Sequence, residues 1–591
     1  MPYRLLWQYV SAYRLRYAAG VALLLLANVF SLAIPWMVKD AIEVLSTAGV
    51  EARVGRYVGL ILVLAAAHAL VRLGSRFAIL GAAQGVEYDL RNTLYAKLQS
   101  LPPAFYQAHR TGDLMSRASS DMAQVKQLAG FGGLSLVGTV FAFVGTLIAM
   151  LAVAPWLTLW AMLPYPFLIL LAKRFNGQVH ARTQAMQDQL SVMSAKVQEN
   201  LTGMSVVRAY TMEPREMAEF AALNDEYLRC SMALGRVQAQ FSPLMGLIAG
   251  IGTLVILWVG GKAVVDGQLT LGALVAFNGY LAHLAWPTIA LGWTLAVVRR
   301  GMTSLQRIAE ILGTPTGEAA PSEGETGRDV ETRRDTAEPL VDRVGRIEVR
   351  SLTFAYDGRM PALCDVSFVV EPGETVALVG PTGSGKSTLA GLLTRLHEPP
   401  PGTIRLDGVD IRTIPRERLR RRLGYVPQES FLFSRSIRDN VAFACDVASA
   451  ARLSEAARLA GIVAEIEAFP SRWDTIVGER GLTLSGGQRQ RMALARALLI
   501  DPRILILDDV FANVDAAKEA EITTTLREGA ARRTTLLITH RLRAAELADR
   551  VLVLDQGRIV EQGSHAELLA RGGIYARLWR VQQLEDEIAH A

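Results

Sequence analysis

The chain has 591 residues, 51% of them hydrophobic and 20% charged, with a formal net charge of +6. That length exceeds one domain, and that apolar share is high for a protein wholly in water. A charge of +6 without a sustained Lys/Arg run argues against nucleic-acid binding.

The apolar residues concentrate before about residue 300, and charge density rises after about residue 315, which predicts a membrane half followed by a soluble half. Arg14 and Arg16 precede the uncharged run Tyr17–Val38, too long for the core of a signal peptide and read as a first membrane helix. A bilayer needs roughly 20 apolar helical residues. By that measure Tyr57–Val71, continuing past Arg72 and Arg76 to about Val86, is a second span. Gln127–Ala172 is 46 residues without a charge, enough for two helices that turn at Ala154-Pro155. Val237–Gly261 and Gln268–Val298 are the fifth and sixth. The connections 83–126 and 173–236 are rich in Arg and Lys, as is the exit cluster Arg299, Arg300, Arg307. The positive-inside rule puts the N-terminus, both long loops and everything after residue 299 in the cytoplasm. Helical spacing across 183–230 predicts membrane helices that extend far out of the bilayer.

Polar residues inside this half carry separate expectations. Arg72 and Arg76 either snorkel to the interface or line an inward-facing cavity. Asn278 and His283 suit helix–helix hydrogen bonds, and Trp286 and Trp293 suit packing or interface positions. Few fixed charges point at a cavity, which favours apolar or amphipathic cargo. The membrane domain is expected over 1–313. Residues 314–345, rich in Gly, Pro, Glu and Arg, read as a linker. An α/β domain over 346–582 and a tail at 583–591 follow. Arg416, Arg418, Arg420, Arg421 and Arg422 read as a solvated helix face. Cys230, Cys364 and Cys445 lack CxxC or CxxH spacing and read as small buried hydrophobes in a reducing cytoplasm.

The chemistry lies in the second half. The β-run Val376–Val379 enters Gly380-Pro381-Thr382-Gly383-Ser384-Gly385-Lys386-Ser387-Thr388, which fits GxxxxGK[ST]. The glycines let backbone N–H groups face inward as a phosphate nest at a helix start. Lys386 is expected on the terminal phosphates of ATP and the Ser387 hydroxyl on Mg²⁺. A second apolar strand, ILILDDVFANVD over 504–515, ends at Asp508, which can hold the metal through water. Between them lies LSGGQRQR, Leu484–Arg491.

That string resembles the signature sequence of the ABC ATPases, and other motifs follow that family's order. Tyr356 is similar to the aromatic that stacks on adenine, and Gln428 in YVPQ to the Q-loop glutamine near water and metal. Thr475–Gly481 resembles an exporter-specific loop, Asp515 the D-loop aspartate and His540 in ITHRL the switch histidine. Over roughly 15–582 the chain resembles an ABC exporter half-transporter. Thr111–Asp121 and Glu199–Tyr210 resemble the loops that dock such membrane domains onto the ATPase. The resemblance implies a dimer in which Ser485, Gly486, Gly487 and Gln488 touch ATP held by a partner chain. It also implies a bacterial cell (inner) membrane location.

At the family's glutamate position stands Asp509, whose side chain is shorter by about 1.5 Å. A carboxylate that orients water must reach it at about 2.6–3.2 Å, so Asp509 predicts ATP binding with slow hydrolysis. The expected protein is the degenerate-site subunit of a heterodimeric exporter, its partner carrying Glu there and an altered signature. Rival expectations are a homodimeric lipid flippase and an ATP-gated channel or regulatory subunit.

Overall fold

The computed structural model describes residues 2–45, 51–315, 345–356, 360–445, 447–478, 481, 483–512, 514, 516–528 and 533–590. Nearly all of the expected linker, part of Thr475–Gly481, and Asp515 lie outside these. The chain divides into two compact units, one helical and one α/β.

The helical unit runs α1 (Pro2–Ala12), α2 (Arg14–Leu45), α3 (Glu51–Ser100), α4 (Thr111–Val153), α5 (Pro155–Met162), α6 (Tyr165–Thr202), α7 (Glu213–Val265) and α8 (Leu271–Gly313). Helices α2, α3 and α4 are long and apolar enough to cross a membrane, and α7 and α8 carry the shorter apolar stretches Gly250–Val265 and Leu271–Leu284. The turn predicted at Ala154-Pro155 is present: Ala154 is extended at φ −158° and Pro155 opens α5, where its fixed φ and missing N–H suit a first helical position. At 50 and 53 residues, α3 and α7 are each about 75–80 Å long at 1.5 Å per residue. That is more than twice a hydrocarbon core, and the charged parts of α6 and α7 run on as helix over much of 183–230, as the spacing there predicted.

Polar contacts tie the helices together, though not where the sequence pointed. Asn278 and His283 are exposed on α8; its interhelical bonds come instead from Tyr280, whose hydroxyl donates to the Leu32 carbonyl at 2.9 Å, and from Thr294 paired with Ser135 at 2.9 Å. Tyr280 was missed because an aromatic on an apolar face reads as packing. Arg72 and Arg76 are exposed on α3, and the side chains of Trp286 and Trp293 lie outside the described residues. At the charged ends of α4 and α8, Asp121 is 6% exposed. It accepts from the Ser304 hydroxyl at 2.8 Å and pairs with Arg307 at 3.1 Å. Arg307 also holds Asp113, while Arg117 bonds Asp113, the Arg307 carbonyl and Glu310. Segment 111–121, partly π-helical over Arg117–Asp121, is thereby fastened to the helix that leaves this unit.

The α/β unit holds β1 (Ile347–Ala355), β2 (Pro361–Val370), β3 (Thr375–Val379), β4 (Ile404–Leu406), β5 (Val409–Asp410), β6 (Leu423–Val426), β7 (Ile504–Asp508), β8 (Thr534–Ile538), β9 (Arg550–Asp555) and β10 (Arg558–Gly563). A four-stranded antiparallel sheet has the order β2-β1-β4-β5, and a six-stranded sheet the order β10-β9-β3-β8-β7-β6. In the second, every pairing is parallel except β10 with β9. Helices cover both faces of such sheets, so β7 and β8 are buried at every residue, which is why ILILD reads as an unbroken apolar run. Helix α9 (Lys386–Leu393) packs in a core with β1 to β3, whereas α10 (Gly486–Leu499) packs in another with Leu453, Ile466 and Phe511.

Two surface expectations change. The arginine cluster is not simply solvated: Arg416 pairs with Glu398 at 3.0 Å, and Arg420 donates to the Arg395 carbonyl at 3.1 Å. The cysteines are free and half-buried rather than buried. The last helix, Ile574–His590, runs across the boundary expected at 582.

Asp121→Ala removes the acceptor of Ser304 and one carboxylate facing Arg307. It should cost about 2 kcal/mol, seen as a lower melting midpoint of the full chain in detergent. Asp121→Asn, which can keep the Ser304 bond, should lose less.

Candidate nucleotide site

Strand β3 ends where backbone alone dictates the path. Gly380, Gly383 and Gly385 have φ of +151°, +82° and +106°, a region that side chains resist. A Cβ on Gly380 would lie 2.0 Å from the Leu554 carbonyl oxygen of β9, and one on Gly385 2.6 Å from that of Ala362; at Gly383 there is open space. Lys386 follows in the first turn of α9 and is 6% exposed. Its Nζ donates to the carbonyls of Gly380 and Pro381, each at 2.8 Å. Burial holds its ammonium below the usual lysine value, and Asp509 and Asp508 oppose that shift.

Asp508 ends β7 at 3% exposure. Burial pushes its carboxyl up, and Asp509 adds to this; a hydrogen bond from Ser387 and the Lys386 charge pull the other way. Asp509 is also buried, at 6%, with φ +52°, a left-handed conformation that Asp tolerates better than most residues. Its N–H donates to the Ile538 carbonyl at 2.8 Å, and its Oδ1 accepts from the His540 N–H at 3.3 Å.

The strand order β3-β8-β7-β6 lines up what each strand delivers at its C-terminal end. Side by side stand the loop 380–387 after β3, His540 after β8, Asp508 and Asp509 at β7, and Gln428 two residues beyond β6. His540 and Gln428 are exposed, as are Thr382 at the loop tip and Ser387. The Ser384 hydroxyl is buried and has no hydrogen-bond partner among the described residues. Tyr356 joins the group through its hydroxyl, 3.2 Å from Thr388 Oγ1.

The sequence did not foresee two neighbours. His397 meets the Tyr356 ring edge-on at 5.2 Å, and burial holds its imidazole below the usual value. Gln490, 3% exposed, donates to the Asp509 carbonyl at 3.4 Å. A polar residue two positions past Gln488 on the otherwise buried face of α10 was the available signal for Gln490; nothing in the sequence marks His397.

The signature stands apart. Ser485 caps α10, accepting from the Gln488 N–H at 3.2 Å while its own N–H donates to Gln488 Oε1 at 3.0 Å. Gly486 and Gly487 form the first turn, with Gly487 buried. Among the described residues no hydrogen bond joins Ser485–Gln488 to 380–388, and the helices that follow the two motifs pack in different cores.

A phosphate loop between a parallel strand and a helix, an acidic strand end beside it and a membrane-length helical unit define a P-loop ATPase joined to a membrane domain. Residues 17–288 match the family described as ABC transporter transmembrane region, and residues 363–512 the family described as ABC transporter. The chain is 34% identical over 591 residues to the multidrug resistance-like ATP-binding protein MdlA of Escherichia coli (strain K12), covering 100% of this chain and 98% of that protein. It is 32% identical over 578 residues to the ATP-dependent lipid A-core flippase of Syntrophus aciditrophicus (strain SB), covering 97% and 93%. The structure of a bacterial Atm1-family ABC exporter with ATP bound superposes with a TM-score of 0.78 at 29% identity, covering 97% of this chain and 99% of that one. The chain belongs to the ABC transporters. It is a multi-pass membrane protein whose ATPase domain implies hydrolysis coupled to transport.

The glycine geometry gives a paired test. Gly380→Ala drives a Cβ into backbone and should destabilise the α/β unit by about 3 kcal/mol or more. Gly383→Ala meets only the left-handed penalty of about 1–2 kcal/mol. Thermal melts of the two full-length variants should rank in that order.

Proposed function

We propose that this chain is one subunit of an exporter for hydrophobic or amphipathic compounds, drugs or lipids, with its own ATP site catalytically impaired. The carrying observation is Asp509: a short carboxylate on left-handed backbone, already accepting the His540 N–H, beside an intact phosphate loop. ATP binding is served by the backbone of Gly380, Thr382, Gly383, Ser384 and Gly385, by Lys386 on the terminal phosphates, and by Thr388 and the Tyr356 ring toward the base. Ser387 and Asp508 are hard oxygen donors already in contact, and Gln428 stands at the same edge; these would hold Mg²⁺. Among the described residues no cluster of three His, Cys, Asp or Glu is found; phosphate and water would complete the shell, as Mg²⁺ prefers. The ion would supply charge neutralisation on the phosphate oxygens.

Hydrolysis needs a carboxylate set against the attacking water, and about 1 Å of misplacement costs on the order of 100-fold. His540 would contact the terminal phosphate from the next strand. Because Ser485–Gln488 make no hydrogen bond to the chain's own phosphate loop among the described residues, they are available to complete the site of a second half-transporter carrying Glu at the matching position. Asp515 would serve the same contact. The subunit lies in a bacterial cell membrane with N-terminus and ATPase domain cytoplasmic, where the Arg-rich loops orient it. The lipid A-core flippase relatives, at 32% and 36% identity, favour a second reading, a homodimeric lipid flippase in which Asp509 does the chemistry twice.

Co-purification from the native membrane separates the two. A stoichiometric partner with Glu and a broken signature is expected; this chain recovered alone as a dimer with rapid ATP hydrolysis sinks the first reading. Asp509→Glu should raise hydrolysis at this chain's own site by about tenfold. That is less than the full loss, because Glu at positive φ is strained by about 1 kcal/mol.

A further inference from the structure

The segment that carries His540 is held from several sides. Three successive backbone donors each take a side-chain acceptor from a different place. The His540 N–H goes to Asp509 Oδ1 at 3.3 Å, the Arg541 N–H to Thr539 Oγ1 at 2.9 Å, and the Leu542 N–H to Gln582 Oε1 of the last helix at 2.7 Å. The Arg541 side chain then reaches back across the end of β7. Its NH1 donates to the Val514 carbonyl at 2.7 Å and to Glu519 Oε2 at 2.8 Å, and its NH2 donates to the Ala512 carbonyl at 3.0 Å. Glu519 is 6% exposed, so its carboxylate has little water and depends on this partner.

A planar fork on two carbonyls and one carboxylate fixes direction as well as distance, which a lysine cannot do. The two carbonyls lie three and five residues past Asp509. The same residue that follows His540 therefore holds the far end of the loop whose near end, Asp509, binds the His540 N–H. We propose that Arg541 is a positioning residue: it clamps Ala512 and Val514 to the His540 segment and so fixes where the Asp509 carboxylate stands. Among the described residues the Arg541 side chain bonds none of those assigned above to ATP or metal, and its effect runs through Asp509 and His540. The proposal rests on the reading of those two as the hydrolytic pair.

The test uses the full-length chain with whatever half-transporter accompanies it in the membrane. The complex is incubated with a photoreactive azido-ATP labelled at the α- or the γ-phosphate, irradiated at timed intervals, and this chain's band is isolated. Loss of γ-label relative to α-label reads turnover at this chain's own site; the concentration dependence of early labelling reads affinity. Arg541→Lys keeps a charge for Glu519 but loses the fork, and should slow turnover by about tenfold or more with affinity within about twofold. Glu519→Gln keeps both carbonyl bonds and should stay within about threefold of the parent rate. The proposal is overturned if Arg541→Lys leaves the rate unchanged. It is equally overturned if both variants lose rate, affinity and melting temperature together, which marks the arginine as a structural ion pair. A fast parent chain sinks the impaired-site reading while leaving the ratio between variant and parent intact, so the two failures are distinct.

Discussion

A lysine ammonium out of water is the constraint around which the α/β unit is arranged. An unpaired buried charge costs several kcal/mol, and Lys386 is 6% exposed. Its answer comes from the carbonyls of Gly380 and Pro381, which can turn inward only because the loop takes a path open to glycine. Gly380 must also lack a side chain because the Leu554 carbonyl fills the space. The carboxylates that offset the charge arrive from β7, two strands away. Burying one cation thus fixes a loop conformation, a residue type and the alignment of β9, β3, β8 and β7.

Asp509 shows how backbone and chemistry meet at one position. Its φ of +52° belongs to a class that Asp365, Asp407 and Asp501 share in this chain, where a short polar side chain is the least strained choice after glycine. The usual account of a missing methylene is lost reach. Here the shorter side chain also fits its backbone and secures the N–H of His540. One short side chain therefore serves both the backbone at the strand end and the segment that carries His540.

Much of this was legible because the signals were local. Uncharged runs gave the helices, Ala154-Pro155 gave a turn, and glycines at fixed spacing gave the phosphate loop, since each depends on a few consecutive residues. What was missed depends on distant partners. Tyr280 finds a carbonyl 248 residues away, Gln490 bonds a carbonyl on another element, and Arg420 turns inward to carbonyls 25 and 26 residues earlier. The polar position of Gln490 on a buried helix face was a signal, but in none of the three does a single sequence reveal the partner. Asn278 and His283 attracted notice as polar residues in an apolar run, yet Tyr280, which reads as packing, makes the bond.

The strand order also sets a schedule for the ribosome. Strand β3 and its loop are made early in this unit, but their neighbours β8 and β9 begin 159 and 175 residues later, at Thr534 and Arg550 against Thr375. Pairings this distant in sequence form late, and Leu554, against which Gly380 rests, is among the last residues of the sheet to emerge. A nascent chain that has already threaded its helices into the bilayer still has no finished phosphate loop. The loop's packing against Leu554 is therefore completed only near the end of the chain.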